Sequence, residues 1–405
     1  STGRVRKNDG SMQFLLKWGI TSASFMRNIL KRGERFDEGA IEKIDSLTLN
    51  KDIVRSRLKR ALCLFKKSPH SKKIWENKIR IIMKLGVIMP HTKLYGGVKR
   101  FLELGNIFIE LGHTFTVYTV EGKSPSWYDF KGETKKFAAL KKDDIDALFT
   151  TEVKFLEQLT TANTKRKIFY HVRMTEKIRK ALKYSDIEVF ACSTNIYLYD
   201  KKKYGIEAFK ALGGVNVSNY QEKTDYSVEG RPFCIMAYGR LAERVKGTKY
   251  VVKACEKLYK KGYNIKLLLF DTAISEKAQK LIDNFSTSVP FDFVQNHPFD
   301  KNSELFNRAD IFVAAEGHAG WCNSVAEAMA CALPVIATTA GTRDLLIDGV
   351  TGLHTWRYTF MIRRRLKTLI ENERLREQLG KAARKNVENF DWHVLARSIE
   401  KYLMK

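Results

Sequence analysis

Cysteine pairs and long apolar runs are both missing from this sequence. Its six cysteines lie far apart, with neither the pairing typical of disulfides nor the spacing of zinc ligands, so we expect reduced thiols. No window reaches the about eighteen uninterrupted apolar residues of a membrane-spanning helix. Residues 1–10 lack the apolar core of a signal peptide. These features predict a cytoplasmic location.

Three common catalytic motifs are also missing. The sequence has no Gly-x-x-x-x-Gly-Lys-Ser/Thr phosphate loop, no Gly-x-Ser-x-Gly nucleophile elbow and no His-Glu-x-x-His metal helix. Their absence argues against a P-loop ATPase, a hydrolase with a nucleophile elbow and a zinc protease.

Positive charge is abundant and uneven. The net charge is +27, and residues 1–80 carry 20 lysines and arginines against 8 acidic residues. Two basic amphipathic stretches in this segment predict helices. Their apolar positions are Leu15, Trp18, Phe25 and Ile29, then Val54, Leu58, Leu62 and Phe65. Residues 1–78 either adsorb on an anionic membrane or cap the next domain. No nucleic-acid motif accompanies the charge, so we expect no nucleic-acid partner.

From residue 79 the chain repeats one pattern twice. A strand in 78–90, a glycine turn, a helix over 98–111 and a strand over 114–119 form a βαβ unit. The pattern restarts at 233 after a polar linker at 219–230. The predicted fold class is α/β, with two doubly wound Rossmann-like domains facing a central cleft.

The predicted boundaries follow from that repeat. They are 1–78 for the basic helical extension, 79–220 and 221–385 for the two Rossmann-like domains, and 386–405 for a final helix that can return to the first of them.

A helix predicted after residue 322 offers an anion site. Its first turn exposes backbone amides near Ser324 and Val325 that suit a diphosphate. Asn323 and Ser324 are expected as capping residues, and Glu327 in the first turn can accept both hydroxyls of a ribose. Helix capping with a favourable dipole charge is the alternative interpretation.

At these residues the sequence resembles the GT-B retaining glycosyltransferases of family 4. The resemblance covers roughly residues 80–405 and rests on an ordered set of motifs, which lie at 95–101, 111–117, 238–247, 305–313, 323–338, 341–352 and 390–396. Residues 1–78 have no counterpart in it. The resemblance implies transfer of a sugar from a nucleoside diphosphate to an acceptor hydroxyl, with retention of configuration and without a metal or other cofactor.

The resemblance also implies roles for individual residues. Arg240 and Lys246 would hold the diphosphate and neutralise the leaving group. Arg244 lies between them and is either a second clamp or an ordinary surface charge. Gly96 and Gly97 would let the backbone approach the donor, unless they form a plain turn.

Two further positions concern the sugar. His171 would hydrogen-bond the donor sugar or stabilise the charge that develops at its anomeric carbon, or else it only ends a strand. Arg173 beside it would contact the acceptor. The family commonly has a glutamate where this chain has Ala319. Glu316 or His318 would then replace it, or the sugar is recognised differently, or the chain is not catalytic.

Metal binding has one candidate, the Asp-x-Asp triplet at Asp144 and Asp146, which is typical of another transferase fold. It precedes a predicted strand, away from the donor loop, so we expect no metal.

The expected donor is one of the UDP-, GDP- or dTDP-linked sugars, among which the sequence favours a deoxysugar donor such as dTDP-rhamnose. The expected acceptor is a growing, lipid-linked glycan at the inner membrane surface. A nucleotide-sugar epimerase or hydrolase of the same fold, and a non-catalytic glycan- or membrane-binding relative, remain alternatives.

Overall fold

The computed structural model describes residues 82–93, 95–272 and 275–405. Contacts divide the chain into two compact units, residues 1–81 and 82–405. The basic helical extension predicted for 1–78 lies outside the described residues. In the described part, no helix is long and apolar enough to cross a bilayer.

The first domain is built on a seven-stranded parallel sheet. Its strands are β1 (Lys84–Ile88), β2 (Thr114–Thr119), β3 (Glu133–Lys136), β4 (Ile145–Thr150), β5 (Thr164–His171), β6 (Ile187–Ala191) and β7 (Phe209–Lys210). Their order is β3–β2–β1–β4–β5–β6–β7. The order reverses between β1 and β4, which makes that gap the switch point of a doubly wound fold.

The second domain repeats this topology with six parallel strands. They are β8 (Phe233–Tyr238), β9 (Ile265–Asp271), β10 (Phe291–Gln295), β11 (Ile311–Ala314), β12 (Val335–Ala337) and β13 (Leu353–His354). The order β10–β9–β8–β11–β12–β13 puts the switch point between β8 and β11. The expectation of two doubly wound Rossmann-like domains is confirmed.

Helices connect the strands and cover the sheets. They are α1 (Gly96–Glu110), α2 (Leu156–Thr161), α3 (Thr194–Tyr204), α4 (Thr248–Tyr259), α5 (Glu276–Asp283), α6 (Asn302–Asn307), α7 (Asn323–Ala330), α8 (Thr359–Ile370), α9 (Glu373–Val387) and α10 (Trp392–Leu403). α1 buries Phe101, Leu104 and Phe108 at helical spacing. Because such stripes repeat along the chain, the central elements were predictable.

Three strands were not predicted, and each is short or lies at a sheet edge. β3 is a four-residue edge strand, Glu-Thr-Lys-Lys, without a buried residue. β7 and β13 have two residues each. Backbone pairing alone forms such strands, so no alternation of apolar residues marks them.

The last helix belongs to the core of the first domain. Trp392, Leu395 and Ile399 of α10 are buried in that core. At the helix end, the Arg166 guanidinium donates to the backbone oxygens of Tyr402 and Leu403 at 3.1 and 3.0 Å. The chain therefore crosses from the second domain back to the first.

Replacing Trp392 by alanine tests this crossing. Trp392 is 2% exposed, so Trp392→Ala should lower the free energy of unfolding by about 3–5 kcal/mol in urea denaturation. Val394 lies on the same helix and is half exposed, so Val394→Ala should change it by less than about 0.5 kcal/mol. Equal losses in the two variants would contradict the docking of α10 through Trp392.

Candidate functional site

Two loops of the second domain meet at the carboxyl edge of its sheet. Gly247 ends the loop after β8 with φ +73°, and a Cβ there would lie 2.0 Å from the carbonyl oxygen of Ala315. The Gly317 amide donates to the Val245 carbonyl at 2.8 Å. Only glycine permits so close a backbone approach at a positive φ. The two loops are thus joined through their backbones.

Arg240 lies at the start of the first loop. Its Nε donates to Asp271 Oδ1 at 3.1 Å and its NH1 to Glu243 Oε1 at 3.2 Å. The guanidinium carbon lies 5.1 Å from the centre of the Tyr238 ring. Burial raises the pKa of the Asp271 carboxyl, and the Arg240 charge opposes that rise. Two carboxylates and an aromatic face therefore fix the orientation of Arg240.

Lys246 lies over the same ring. Its Nζ is 5.3 Å from the centre of the Tyr238 ring and 2.9 Å from Glu316 Oε1. Burial, followed by the charge of Glu316, raises the pKa of the Cys322 thiol to about 12. The neutral thiol donates to Glu316 Oε1 at 3.7 Å. Glu316 Oε2 is buried with no hydrogen-bond partner among the described residues.

The helix α7 begins at Asn323, which is one residue earlier than expected with Asn323 as the capping residue. Cys322 is its N-cap, and no side chain caps it, so Asn323 and Ser324 are its first two residues. Glu327 is therefore the fifth residue and not part of the first turn. The amides of Asn323, Ser324 and Val325 have no acceptor within the helix, because the first turn never provides one.

Glu327 is paired across the two domains. Lys99 Nζ of α1 lies 2.6 Å from Glu327 Oε1, and both side chains are nearly buried. Next to this pair, a Cβ on Gly96 would lie 3.2 Å from Asn323 Nδ2, whereas a Cβ on Gly97 would meet nothing within 4 Å. Gly96 and Gly97 are the first two residues of α1 and not a separate turn, so the start of α1 faces the start of α7, with open space at Gly97.

His171 ends β5 and is held by a carboxylate. Its Nδ1 lies 2.9 Å from Asp200 Oδ1 and 3.0 Å from Oδ2, and Asp200 is fully buried. Nε2 is buried without a partner among the described residues. Just after His171, the Val172 carbonyl packs against Gly320, where a Cβ would come within 1.9 Å. The donor-side loop thus touches the strand end that carries His171.

The remaining predicted residues are not brought into this network. The side chains of Arg244, His318 and Arg173 are exposed, without a hydrogen-bond or ion-pair partner among the described residues. Ala319 packs near Gly341.

The Asp-x-Asp candidate lies elsewhere. Asp144 pairs with Lys84 at 3.1 Å and Asp146 with Lys165 at 2.6 Å, at the amino ends of the strands. In residues 82–93, 95–272 and 275–405, no group of three or more metal-ligating side chains is close enough to hold an ion.

Comparison with known protein families finds one family that matches the second domain. The family described as Glycosyl transferases group 1 matches residues 221–386, which carry Arg240, Lys246, Glu316 and α7. Residues 221–386 are therefore similar to a group 1 glycosyltransferase domain.

Two curated relatives match part of the chain. CapM, a capsular polysaccharide biosynthesis glycosyltransferase of Staphylococcus aureus, is 29% identical over 201 residues, covering 47% of this chain and 52% of the relative. An uncharacterized glycosyltransferase of Methanocaldococcus jannaschii is 27% identical over 130 residues, covering 31% and 37%. The chain therefore spans about half or less of the length of these relatives.

Solved structures share the whole two-domain architecture. A glycosyltransferase from Rickettsia africae has a TM-score of 0.63 at 18% identity, covering 80% of this chain and 99% of that one. Sucrose-phosphate synthase from Thermosynechococcus elongatus has 0.66 at 15%, covering 80% and 98%. HepE of Anabaena, in complex with UDP and glucose, has 0.65 at 14%, covering 80% and 99%. These likenesses establish the GT-B fold.

Sequence reasoning missed several partners of the predicted residues. In the second domain they include Asp271, which holds Arg240, and Tyr238, which lies under both cations. In the first domain they include Asp200 and Lys99. Lys99 lies two residues after Gly97 in the first turn of α1, a position that marks it as a cleft residue, whereas no sequence signal links Asp200 to His171.

Substituting Gly247 tests the loop junction of the second domain. Gly247→Ala should cost about 3 kcal/mol, because it adds a steric clash with Ala315 to the strain of a positive φ. Gly349 has φ +75° and nothing within 4 Å of a Cβ, so Gly349→Ala should cost only about 1 kcal/mol. Urea denaturation measures both, and equal losses would mean that the backbone contact is unimportant.

Proposed function

We propose that this chain transfers a sugar from a nucleoside diphosphate sugar to a hydroxyl of a growing glycan. The observation that carries the proposal is the pair of cations, Arg240 and Lys246, over the Tyr238 ring in a domain similar to group 1 domains. Both curated relatives described above are named as glycosyltransferases.

The cations serve as the diphosphate clamp. A leaving diphosphate accumulates negative charge as the glycosidic bond breaks, and two fixed cations stabilise that charge without a metal ion. Arg240 is held by Asp271 and Lys246 by Glu316, so little reorientation is needed when the diphosphate binds. The amides of Asn323, Ser324 and Val325 would bind the phosphate oxygens at the start of α7.

Glu327 is the proposed ribose acceptor. Its Oε1 accepts from Lys99, and a carboxylate has enough lone pairs to accept a ribose hydroxyl as well. Lys99 would hold this carboxylate in position between the two domains. Gly96 and Gly97 would let the first domain approach the donor phosphates or sugar.

Glu316 is the proposed replacement for the glutamate absent at Ala319. Its Oε2 is buried and unpartnered within the described residues, while Oε1 is paired with Lys246. A buried carboxylate oxygen without a donor is costly. A hydroxyl of the donor sugar would supply that donor. His318 is exposed and is less suited to this role.

The reaction would proceed with retention of configuration. The bond from the anomeric carbon to the phosphate oxygen breaks, and a bond to the acceptor oxygen forms on the same face. The acceptor proton passes to the departing phosphate. His171, oriented by Asp200, would hydrogen-bond the donor sugar through Nε2, and Arg173 would meet the acceptor.

The donor base, the acceptor and the location are further proposals. dTDP-rhamnose remains the predicted donor, and HepE in complex with UDP-glucose supports UDP-sugars as the alternative. CapM acts in capsular polysaccharide biosynthesis by its name, which supports a polysaccharide acceptor here. A lipid-linked acceptor would place the protein at the inner face of the cell membrane.

A thermal-shift screen with UDP, GDP, dTDP and their sugars tests the proposal first. At about a hundredfold excess over the dissociation constant, the preferred nucleotide should stabilise the protein by about 2.7 kcal/mol, with or without magnesium. Donor turnover without acceptor would favour a hydrolase or epimerase. Binding without any turnover would favour the non-catalytic alternative, and no binding would refute the donor site.

Removing either clamp charge should weaken diphosphate binding selectively. Arg240→Met and Lys246→Met each remove charge-assisted hydrogen bonds, so affinity for the preferred nucleoside diphosphate should fall about tenfold to a hundredfold in calorimetry. Affinity for the nucleoside alone should hardly change. Arg244→Met is the matched control, because Arg244 is exposed. A loss in Arg244→Met equal to that of the other two variants would contradict the assignment of Lys246.

Substituting His171 by asparagine separates catalysis from structure. The asparagine Nδ2 takes the place of His171 Nδ1 and still donates to Asp200, whereas the Nε2 group is lost. Transfer turnover should fall about a hundredfold, with nucleotide affinity unchanged. His171→Gln, which keeps a nitrogen near the Nε2 position, should retain more activity. Full turnover in His171→Asn would assign the histidine a structural role only.

A further inference from the structure

The exposed edge of the second sheet carries an apolar surface that the donor site does not use. Five side chains there are between 52% and 62% exposed: Ile347, Val350, Trp356, Tyr358 and Phe360. Ile347 and Val350 precede β13 and the three aromatic residues follow it; together they are here called the edge patch. Single exposed apolar residues are ordinary, but three exposed aromatic residues within five positions mark an interaction surface.

The edge patch is held in place by its polar neighbours. Asp348 accepts from the His354 amide at 2.7 Å and pairs with Arg365 at 3.2 Å. The His354 and Trp356 rings lie 5.9 Å apart, and the Tyr358 and Phe360 rings stack at 6.0 Å. The aromatic residues are therefore presented by a folded edge, so little entropy is lost when the surface is covered.

Basic side chains lie beside the aromatic residues of the edge patch. Phe360, Arg363 and Arg364 share one face of α8, because they lie three and four residues apart. Arg363 and Arg364 have no ion-pair partner within the part of the chain that the structure describes. Asp348, before β13, is engaged by Arg365 at 3.2 Å. The surface thus joins exposed aromatic rings to cationic side chains.

We infer that the edge patch docks the protein on an anionic lipid bilayer. Trp and Tyr side chains prefer the boundary between headgroups and acyl chains. Arginines beside them attract anionic headgroups. A protein partner for these arginines would need a complementary acidic face, whereas an anionic bilayer supplies that charge everywhere. The inference deepens the proposed function, because it names the surface that would bring the enzyme to a lipid-linked acceptor.

The edge patch is connected to the donor loops. Arg357, between Trp356 and Tyr358, donates from NH2 to the backbone oxygen of Arg244. Its NH1 lies 2.4 Å from the position of a Cβ on Gly317. Residues 244–247 and 315–317 therefore lie next to the docked surface. A lipid-linked acceptor would need to travel only a short way from the bilayer to the cleft.

Vesicle partitioning of the full chain tests the inference. Wild type should bind vesicles of equal parts phosphatidylglycerol and phosphatidylcholine, and pure phosphatidylcholine much less. Trp356→Ser/Tyr358→Ser/Phe360→Ser and Arg363→Gln/Arg364→Gln should each weaken partitioning about tenfold or more. The matched controls are Tyr184→Ser/Tyr259→Ser/Phe291→Ser and Lys260→Gln/Lys261→Gln, which remove exposed side chains elsewhere and should bind like wild type.

Quenching of Trp356 fluorescence reports membrane contact of the edge patch separately from any contact made by residues 1–81. Brominated lipids should quench wild type more than Trp356→Phe, because Trp356 itself enters the interface. Quenching that is unchanged in Trp356→Phe, or partitioning equal in the edge-patch and control variants, would overturn the inference. A wild-type dimer that the triple variant converts to a monomer would overturn it as well, by assigning the edge patch to self-association.

Nucleotide binding by the same variants keeps the two proposals apart. The edge-patch variants should retain wild-type nucleotide affinity, since none of the altered side chains is among those that hold Arg240 and Lys246, which are Asp271, Glu243, Glu316 and Tyr238. If no nucleotide binds any variant while partitioning still depends on the edge patch, the docking surface stands and the donor site fails.

Discussion

Close approach of backbone to backbone is the constraint on which the site depends. Gly247 lies against the Ala315 carbonyl, and Gly320 against the Val172 carbonyl. The first contact fixes Lys246 relative to Glu316, and the second brings the loop before α7 against the strand end that carries His171. A side chain at either glycine would push apart the groups of the candidate site. Side-chain chemistry at the cleft is therefore positioned by residues that have no side chain.

The ion pair between Lys99 and Glu327 gives the cleft a polar connection across the domains. Both side chains are nearly buried at 2.6 Å, so each would be costly to leave alone. Near them, burial raises the pKa of the Glu103 carboxyl, while Lys99 opposes that rise. Lys99 therefore lies between carboxylates of two helices, Glu103 of α1 and Glu327 of α7.

The sequence allowed the central strands and the class of the second domain to be predicted, because apolar periodicity and ordered motifs mark them directly. It did not allow β3, β7 and β13 to be predicted, since two-residue and polar edge strands form by backbone pairing. Arg240 and Lys246 were visible as motif residues, but their shared ring at Tyr238 was not. The pairing of His171 with Asp200 depends on how α3 packs beside β5, and no spacing rule relates the two. The start of α7 was predicted one residue late, because Asn and Ser are strong capping residues and Cys322 is not.

The chain passes between the two domains twice, and the two passages are bonded to each other. Gly214 and Val215 donate to the Phe390 carbonyl, Trp392 donates to the Val215 carbonyl at 3.0 Å, and the Val217 amide donates to Asp391 Oδ2 at 2.9 Å. The bonded crossings hold the two domains together at residues 214–217 and 390–392. Opening of the cleft would therefore have to break the ion pair between Lys99 and Glu327 while these backbone bonds stay intact.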